Sequence, residues 1–310
     1  MELVLLQSLW GFTGDLPAAI ERAQQGGFDG LEANLRHPAL ARLEPENLRQ
    51  QLKASAQELV LELVSGGDYV PDLNCSPAQH LAELEVQLEA SRALQPLKVT
   101  VITGSDSWPW EQQLAFWQRA LNLAETSDLA VSFETHRSRS FANPWAIGSY
   151  LEAFPKLRLT ADLSHWCVVA ERLMEPQLEP IRAIAPRVDH IHARVGHAQG
   201  PQVSHPFAPE HAAALEAHRR CWHLFAASQD QRGASRLTFT PEFGPDGYLP
   251  TLPFTDQPVA DLLTINTAMA AWLRQQFPAA ASLPAQDWSQ DPEPKARWRS
   301  AEAPPQGKAL

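Results

Sequence analysis

Four short strand-like runs, each closing on a side chain able to hold a metal, constrain this 310-residue chain most. They are Ala130-Val131-Ser132-Phe133-Glu134, Leu159-Thr160-Ala161-Asp162, Val188-Asp189-His190-Ile191-His192 and Leu237-Thr238-Phe239-Thr240-Pro241-Glu242. Side chains alternate along a strand, so residues two apart share a face. One choice of parity serves all four runs. Ser132 and Glu134, Thr160 and Asp162, His190 and His192, and Thr238, Thr240 and Glu242 turn inward. Val131, Phe133, Leu237 and Phe239 turn outward. Small polar residues then line an interior, and an ionisable group sits at its rim.

The rest of the chain supplies the frame. Strand signals at 3–9, 30–35, 59–64 and 98–102 precede the four runs. Helix signals fall between them: Asp15 with Pro17, Pro45, Ser76-Pro77, 110–126, Asn143-Pro144, 163–185, 209–228 and 259–276. Asp, Ser and Asn before an apolar periodic stretch, with Pro in the first turn, mark helix starts. Eight strand–helix alternations in this length predict an α/β chain closed as a (β/α)8 TIM barrel over residues 1–277. An open doubly wound sheet would carry a Gly-rich phosphate turn after its first strand. Trp10-Gly11-Phe12-Thr13-Gly14 stands there instead. Residues 278–310 contain Pro278, Pro284, Pro292, Pro294, Pro304 and Pro305, which interrupt helix and strand alike, so an extended tail is expected.

Composition narrows the function classes. The formal charge of −11 argues against a nucleic-acid partner, which needs clustered Lys and Arg. Cys75, Cys167 and Cys221 have no CxxC spacing and read as free thiols in a reducing compartment. The first residues lack the basic start of a signal peptide, and no apolar run approaches the ~20 residues that cross a bilayer. A cytoplasmic protein with no membrane partner is expected.

Steps of 28, 30 and 50 residues separate Glu134, Asp162, His192 and Glu242. The first two match one strand–helix unit, and the third leaves room for a long loop at 196–208. Adjacent strands thus deliver the four groups to one rim, the end where barrel active sites lie. Two Glu, one Asp and one His form a hard, oxygen-rich donor set. It suits one divalent ion, Mn2+, Mg2+ or Co2+, with Zn2+ also compatible. Each residue alone has a plainer reading: a solvated rim Glu, Asp162 as a helix N-cap, a hydrogen-bonded core His. Shared parity and position make four such accidents a poor explanation.

These residues resemble the xylose-isomerase-like barrels of sugar isomerases and epimerases. The pattern is carried by Phe133-Glu134-Thr135-His136, Asp162-Leu163-Ser164-His165, His190-Ile191-His192-Ala193-Arg194 and Pro241-Glu242-Phe243-Gly244. Gly27-Phe28-Asp29-Gly30-Leu31-Glu32 is similar to the family's second strand. The resemblance implies a metal held by Glu134, Asp162, His192 and Glu242. It implies that Glu134 and Glu242 are the catalytic pair, one removing the proton beside a carbonyl and the other returning it, through an enediolate. It makes His165 a substrate-binding residue, with Arg194 in place of an Arg that relatives carry a few residues further on. His136, Arg137 and His197 are further candidates at the mouth, as is Glu32 on the second strand. Arg194 and Arg137 could bind a phosphate or carboxylate. His190 reads as a core residue. Dimers or tetramers are an expectation by resemblance alone.

Departures from the pattern sharpen this. Hydride-shift isomerases carry a strand-end Lys, whereas Lys98 and Lys156 lie at strand starts. The three-zinc DNA-repair branch carries additional His where this chain has Ser65-Gly66-Gly67-Asp68 and Thr103-Gly104-Ser105-Asp106. The leading expectation is a metal-dependent sugar or polyol isomerase/epimerase working by 1,2-proton transfer. A dehydratase or lyase on a keto-inositol or sugar acid is the alternative. A sugar-binding barrel without turnover, or an AP-endonuclease-like enzyme, stands below both. The loops at 196–208 and 244–258 are expected to cover the pocket.

Overall fold

The eight strand signals become eight parallel strands that close on themselves in sequence order. In a computed structural model of the chain, residues 1–245 and 247–278 are described. The tail expected from 278 onward lies, past Pro278 itself, outside the described residues. The strands are β1 (Glu2–Ser8), β2 (Gly30–Asn34), β3 (Glu58–Val64), β4 (Lys98–Ile102), β5 (Val131–Glu134), β6 (Leu159–Ala161), β7 (Val188–His192) and β8 (Arg236–Thr240). Pairing of β8 with β1, Leu3 opposite Leu237 and Leu5 opposite Phe239, closes the (β/α)8 barrel.

The helices are α1 (Leu16–Gln25), α2 (Pro38–Ala41), α3 (Pro45–Ala54), α4 (Pro77–Leu94), α5 (Trp110–Thr126), α6 (Ile147–Ala153), α7 (Leu163–Val169), α8 (Glu179–Ile184), α9 (Ala212–Gln231) and α10 (Leu262–Gln276). Several starts are capped as their sequence dictates. Asp15 accepts from the amide of Ala18, Ser76 from Gln79 in a reciprocal capping box, and Asp261 from Thr264. None of the described helices is long and apolar enough to cross a membrane. All three cysteines are free.

Among the differences from the sequence expectation, three lie in the half of the barrel that carries the four rim residues. The single helix expected over 163–185 is two, α7 and α8. Glu171, with φ of 50°, lies in the break between them. Strand β6 stops at Ala161, because Asp162 already serves as the N-cap of α7. Strand β8 stops at Thr240, so Glu242 stands two residues beyond the sheet.

Alternation sorts the strand residues as the parity argument requires. Outward residues Leu5, Leu31, Leu61, Val99, Phe133, Ile191 and Phe239 pack beneath the helices, with Trp117 set edge-on against Phe133 at 4.8 Å. Inward-facing Val4, Leu6 and Val60 form a separate apolar cluster. Nearer the mouth the interior is polar. Thr160 pairs through its hydroxyl with Thr100 (3.0 Å) and Ser132 (2.7 Å), and Thr238 pairs with His190 (2.7 Å).

Candidate metal centre and pocket

Glu134, Asp162, His192 and Glu242 meet at one rim of the barrel. One ligand-capable atom from each lies within 4.8 Å of the others, and all four residues are buried. Glu134 ends β5 and His192 ends β7. Asp162 and Glu242 sit just past their strands, where a backbone leaving the sheet still points its side chain into the mouth. Asp162 does two jobs at once. Its Oδ1 accepts the amide of Ser164 (2.9 Å), which starts α7, and its Oδ2 accepts from Arg194 with His165 Nε2 3.6 Å away, while the residue lies within the four-residue cluster.

The proton on His192 can be placed from its partners. Nε2 lies 3.1 Å from Glu32 Oε1, and a carboxylate can only accept, so Nε2 carries the hydrogen. Nδ1 then presents its lone pair 3.2 Å from Glu242 Oε2 and 3.6 Å from Glu134 Oε1. It has no hydrogen-bond partner among the described residues, and neither does Glu134 Oε2. A lone pair facing carboxylate oxygens at this range is repulsive unless a proton or a cation lies between them. In the absence of metal, burial opposes charge on His192. Glu242, Glu32 and Glu134 outweigh it and hold its pKa well above the ordinary histidine value. Burial pushes Glu134 up to about 7, with His192 pulling the other way. Three acidic groups, one imidazole lone pair and orphaned buried atoms fit a hard divalent ion.

Glu32 lies behind this cluster. Its Oε2 takes Thr240 and His190 Nε2 (3.1 Å), and its Oε1 takes His192. Burial opposes its charge, yet His192 and His190 hold its carboxyl well below the ordinary range. Both oxygens are therefore committed to protein groups, which fix the orientation of the His192 ring. His190 is bound on both nitrogens, by Thr238 and Glu32, as a core residue.

Arg194 and His165 fill the next layer. Arg194 is buried and donates to Asp162 and Ser164 Oγ (3.0 Å), with Glu242 Oε2 3.5 Å away. It also donates to His165 Nε2 (2.8 Å). An arginine can only donate, so the His165 proton sits on Nδ1, which has no protein partner among the described residues. His136 lies against His165 with ring centres 3.9 Å apart and the planes tilted by 46°. Its Nδ1–H donates to the carbonyl of Arg137 (2.6 Å). Burial drives its pKa down to about 3, so the ring is neutral.

Above these residues opens a cavity of about 470 Å³, lined by Glu134, Glu242, His136, Arg194, Trp10 and Ile102, with further residues that the strand-end motifs did not single out. Tyr69 and Tyr248 wall it. Glu62, inward on β3, lines it and is raised to about 8, by burial first and then by Glu242 and Glu134. Parity along 58–64 could have found Glu62, since the outward set is Leu59, Leu61 and Leu63. Arg139 fixes the wall from behind. Its guanidinium donates to the carbonyls of Ser65 (2.8 Å), Gly104 (3.2 Å), Tyr69 (3.1 Å) and Asp68, tying the loop after β3 to the loop after β5. That close packing explains Gly104. Its φ is 75°, and a Cβ there would lie 2.1 Å from Ser140 Oγ. His197 stands apart from the cavity. It caps its own turn by accepting from the amide of Gln199 (3.3 Å) and stacks on His211.

No protein-family model matches this chain, and no curated protein matches it by sequence. Solved structures do. An L-ribulose 3-epimerase superposes with a TM-score of 0.60 at 14% identity, covering 89% of this chain and 94% of the other. The "probable 3-DHS dehydratase" from Bacillus anthracis gives 0.58 at 16%, covering 88% and 98%. A xylose isomerase domain protein from Planctomyces limnophilus gives 0.53 at 16%, covering 88% and 95%. Likeness at these identities establishes the fold, a closed (β/α)8 barrel.

Proposed function

We propose that this chain is a divalent-metal-dependent isomerase or epimerase acting on a sugar or polyol by 1,2-proton transfer, with Glu134 and Glu242 as the paired acid and base. The observation that carries the reading is His192, its Nε2 committed to Glu32, with Nδ1 turned toward Glu242 and Glu134 in a buried acidic cluster. Glu134, Asp162, His192 and Glu242 would hold the ion. Once bound, it would supply positive charge beside the reacting carbonyl, which acidifies the neighbouring C–H.

The chain's own groups then have distinct tasks. Glu134 keeps Oε2 free of protein partners, which leaves an oxygen able to take a proton from substrate carbon. Glu242, two residues past β8, would return a proton to the other face. His165 offers its Nδ1–H as a donor to a substrate oxygen. Arg194 holds Asp162 and Glu242 in place from within the wall. Trp10, Tyr69 and Tyr248 narrow the cavity, and a drier cavity strengthens every charge interaction inside it. The L-ribulose 3-epimerase among the similar structures agrees with this class.

One observation favours the dehydratase reading. Glu62 is a third carboxyl in the lining, its pKa raised to about 8 by burial first and then by Glu242 and Glu134. A departing hydroxyl needs such a donor, whereas epimerisation does not. The similar structure described as a dehydratase points the same way.

The test is incubation of Mn2+-loaded protein with a panel of ketoses, aldoses and keto acids in D2O. Deuterium on the carbon beside the carbonyl, with substrate mass otherwise conserved, supports isomerisation or epimerisation. Loss of one water supports the dehydratase. Metal and sugar binding with no exchange at any carbon would leave a binding barrel without turnover.

A further inference from the structure

Two arginines from different loops meet at one tyrosine ring in the cavity wall, and they are unequally occupied. The guanidinium carbon of Arg194 lies 4.7 Å from the ring centre of Tyr248, and that of Arg137 lies 4.8 Å from the same centre. Arg194 is saturated by Asp162, Ser164, His165 and Glu242. Arg137 lines the cavity, half-buried, and its guanidinium has no hydrogen-bond or carboxylate partner among the described residues. Two residues on, Arg139 shows what a structural arginine does in this loop, donating to four backbone carbonyls.

We propose that the cavity takes a substrate bearing an anionic group, a carboxylate or a phosphate, and that Arg137 is the residue that reads it. This rests on the enzyme reading above and narrows its substrate class. A guanidinium presents a planar fork of donors that matches both oxyanions, and an aromatic face keeps it oriented without using those donors. Tyr248 supplies that face. The acidic groups of the floor do not oppose the anion directly. Arg194 pairs with Asp162 and lies 3.5 Å from Glu242, and both carboxylates, with Glu134, belong to the candidate metal cluster, whose divalent ion would offset the rest of their charge. Asp68, another acid in the lining, turns Oδ1 to the amide of Tyr69 (2.9 Å). The reacting carbon would lie over the carboxylates, with the anionic group at the mouth against Arg137.

The test is calorimetric titration of Mn2+-loaded protein with D-fructose, D-fructose 6-phosphate and D-fructuronate, for the parent, Arg137→Ala and Arg137→Lys. At least one anionic probe is expected to bind about ten times more tightly than D-fructose. Arg137→Ala should erase that preference to within about twofold, and Arg137→Lys should keep part of it. Melting temperature serves as the folding control. Preference for the phosphate or for the uronate identifies the source of the anion. Equal affinities for all three probes, binding of none, or a preference unchanged in Arg137→Ala would overturn the proposal. The enzyme reading fails separately, on absence of metal or of deuterium exchange.

Discussion

His192 Nδ1 stands 3.2 Å from a Glu242 oxygen, while the Nε2–H of the same ring is committed to Glu32. One imidazole therefore joins two carboxylates of opposite purpose, one that steers the ring and one that shares its face with the metal cluster. A His whose second nitrogen donates to a carboxylate is a stronger and better-aimed ligand. Glu32→Gln should keep the fold but weaken metal affinity by about 10–100-fold. Competition against a fluorescent chelator measures it. Unchanged affinity would mean that Glu32 merely fills the barrel.

Glu134→Gln and Glu242→Gln keep size and an oxygen donor but remove the proton acceptor. Each should lower kcat by about 10²–10⁴-fold, with KM changed far less. Steady-state kinetics on whichever substrate exchanges deuterium decides it. Near-normal kcat in both variants would contradict the acid–base pair.

His80 gives the fold an acid-labile point away from the site. The ring is fully buried against Gly66, Trp108 and Phe116, and neither nitrogen has a partner among the described residues. Burial, aided by Arg139, lowers its pKa from 6.5 to about 4. Above pH 6.5 both states are neutral and nothing is lost. As pH falls below 6.5, the unfolded chain takes a proton that folded His80 refuses, so stability declines until about pH 4. His80→Phe should lessen the fall in Tm between pH 7 and pH 5. An identical fall in parent and variant would assign the effect elsewhere.

Glu62 predicts the opposite slope. Its pKa is raised from 4.5 to about 8 in the folded chain. Its stabilising effect is complete below pH 4.5 and is lost as pH rises through 8, because the unfolded chain ionises first. Glu62→Gln should raise Tm of metal-free protein at pH 8.5 more than at pH 5. A pH-independent difference would mean that this carboxyl is already ionised in the fold.

Much of this was legible in the residues. Period-two alternation in 130–134, 188–192 and 237–242 sorted core from interior, because a strand has only two faces. The barrel followed from counting strand–helix alternations. What escaped was anything set by neighbours distant in sequence. Glu62 was one acid among many until Glu134 and Glu242 were seen beside it. Tyr69 and Tyr248 come from loops, whose path no periodicity encodes. For Asp162 the sequence allows ligand or N-cap; the N-cap bond to Ser164 is present, and the same residue lies in the group that could hold a metal. Glu32 and His197 were both candidates for substrate. The first is surrounded by His190, His192 and Thr240, and the second closes a turn.

The central claim is that the four rim residues bind one divalent ion. Elemental analysis of gently purified protein, beside the Asp162→Ala/His192→Ala double variant, tests it most directly. A near-stoichiometric content of Mn, Co, Mg or Zn in the parent, lost in the variant while its circular dichroism is preserved, is the predicted result. No retained metal in the parent after incubation with each of these ions would contradict it.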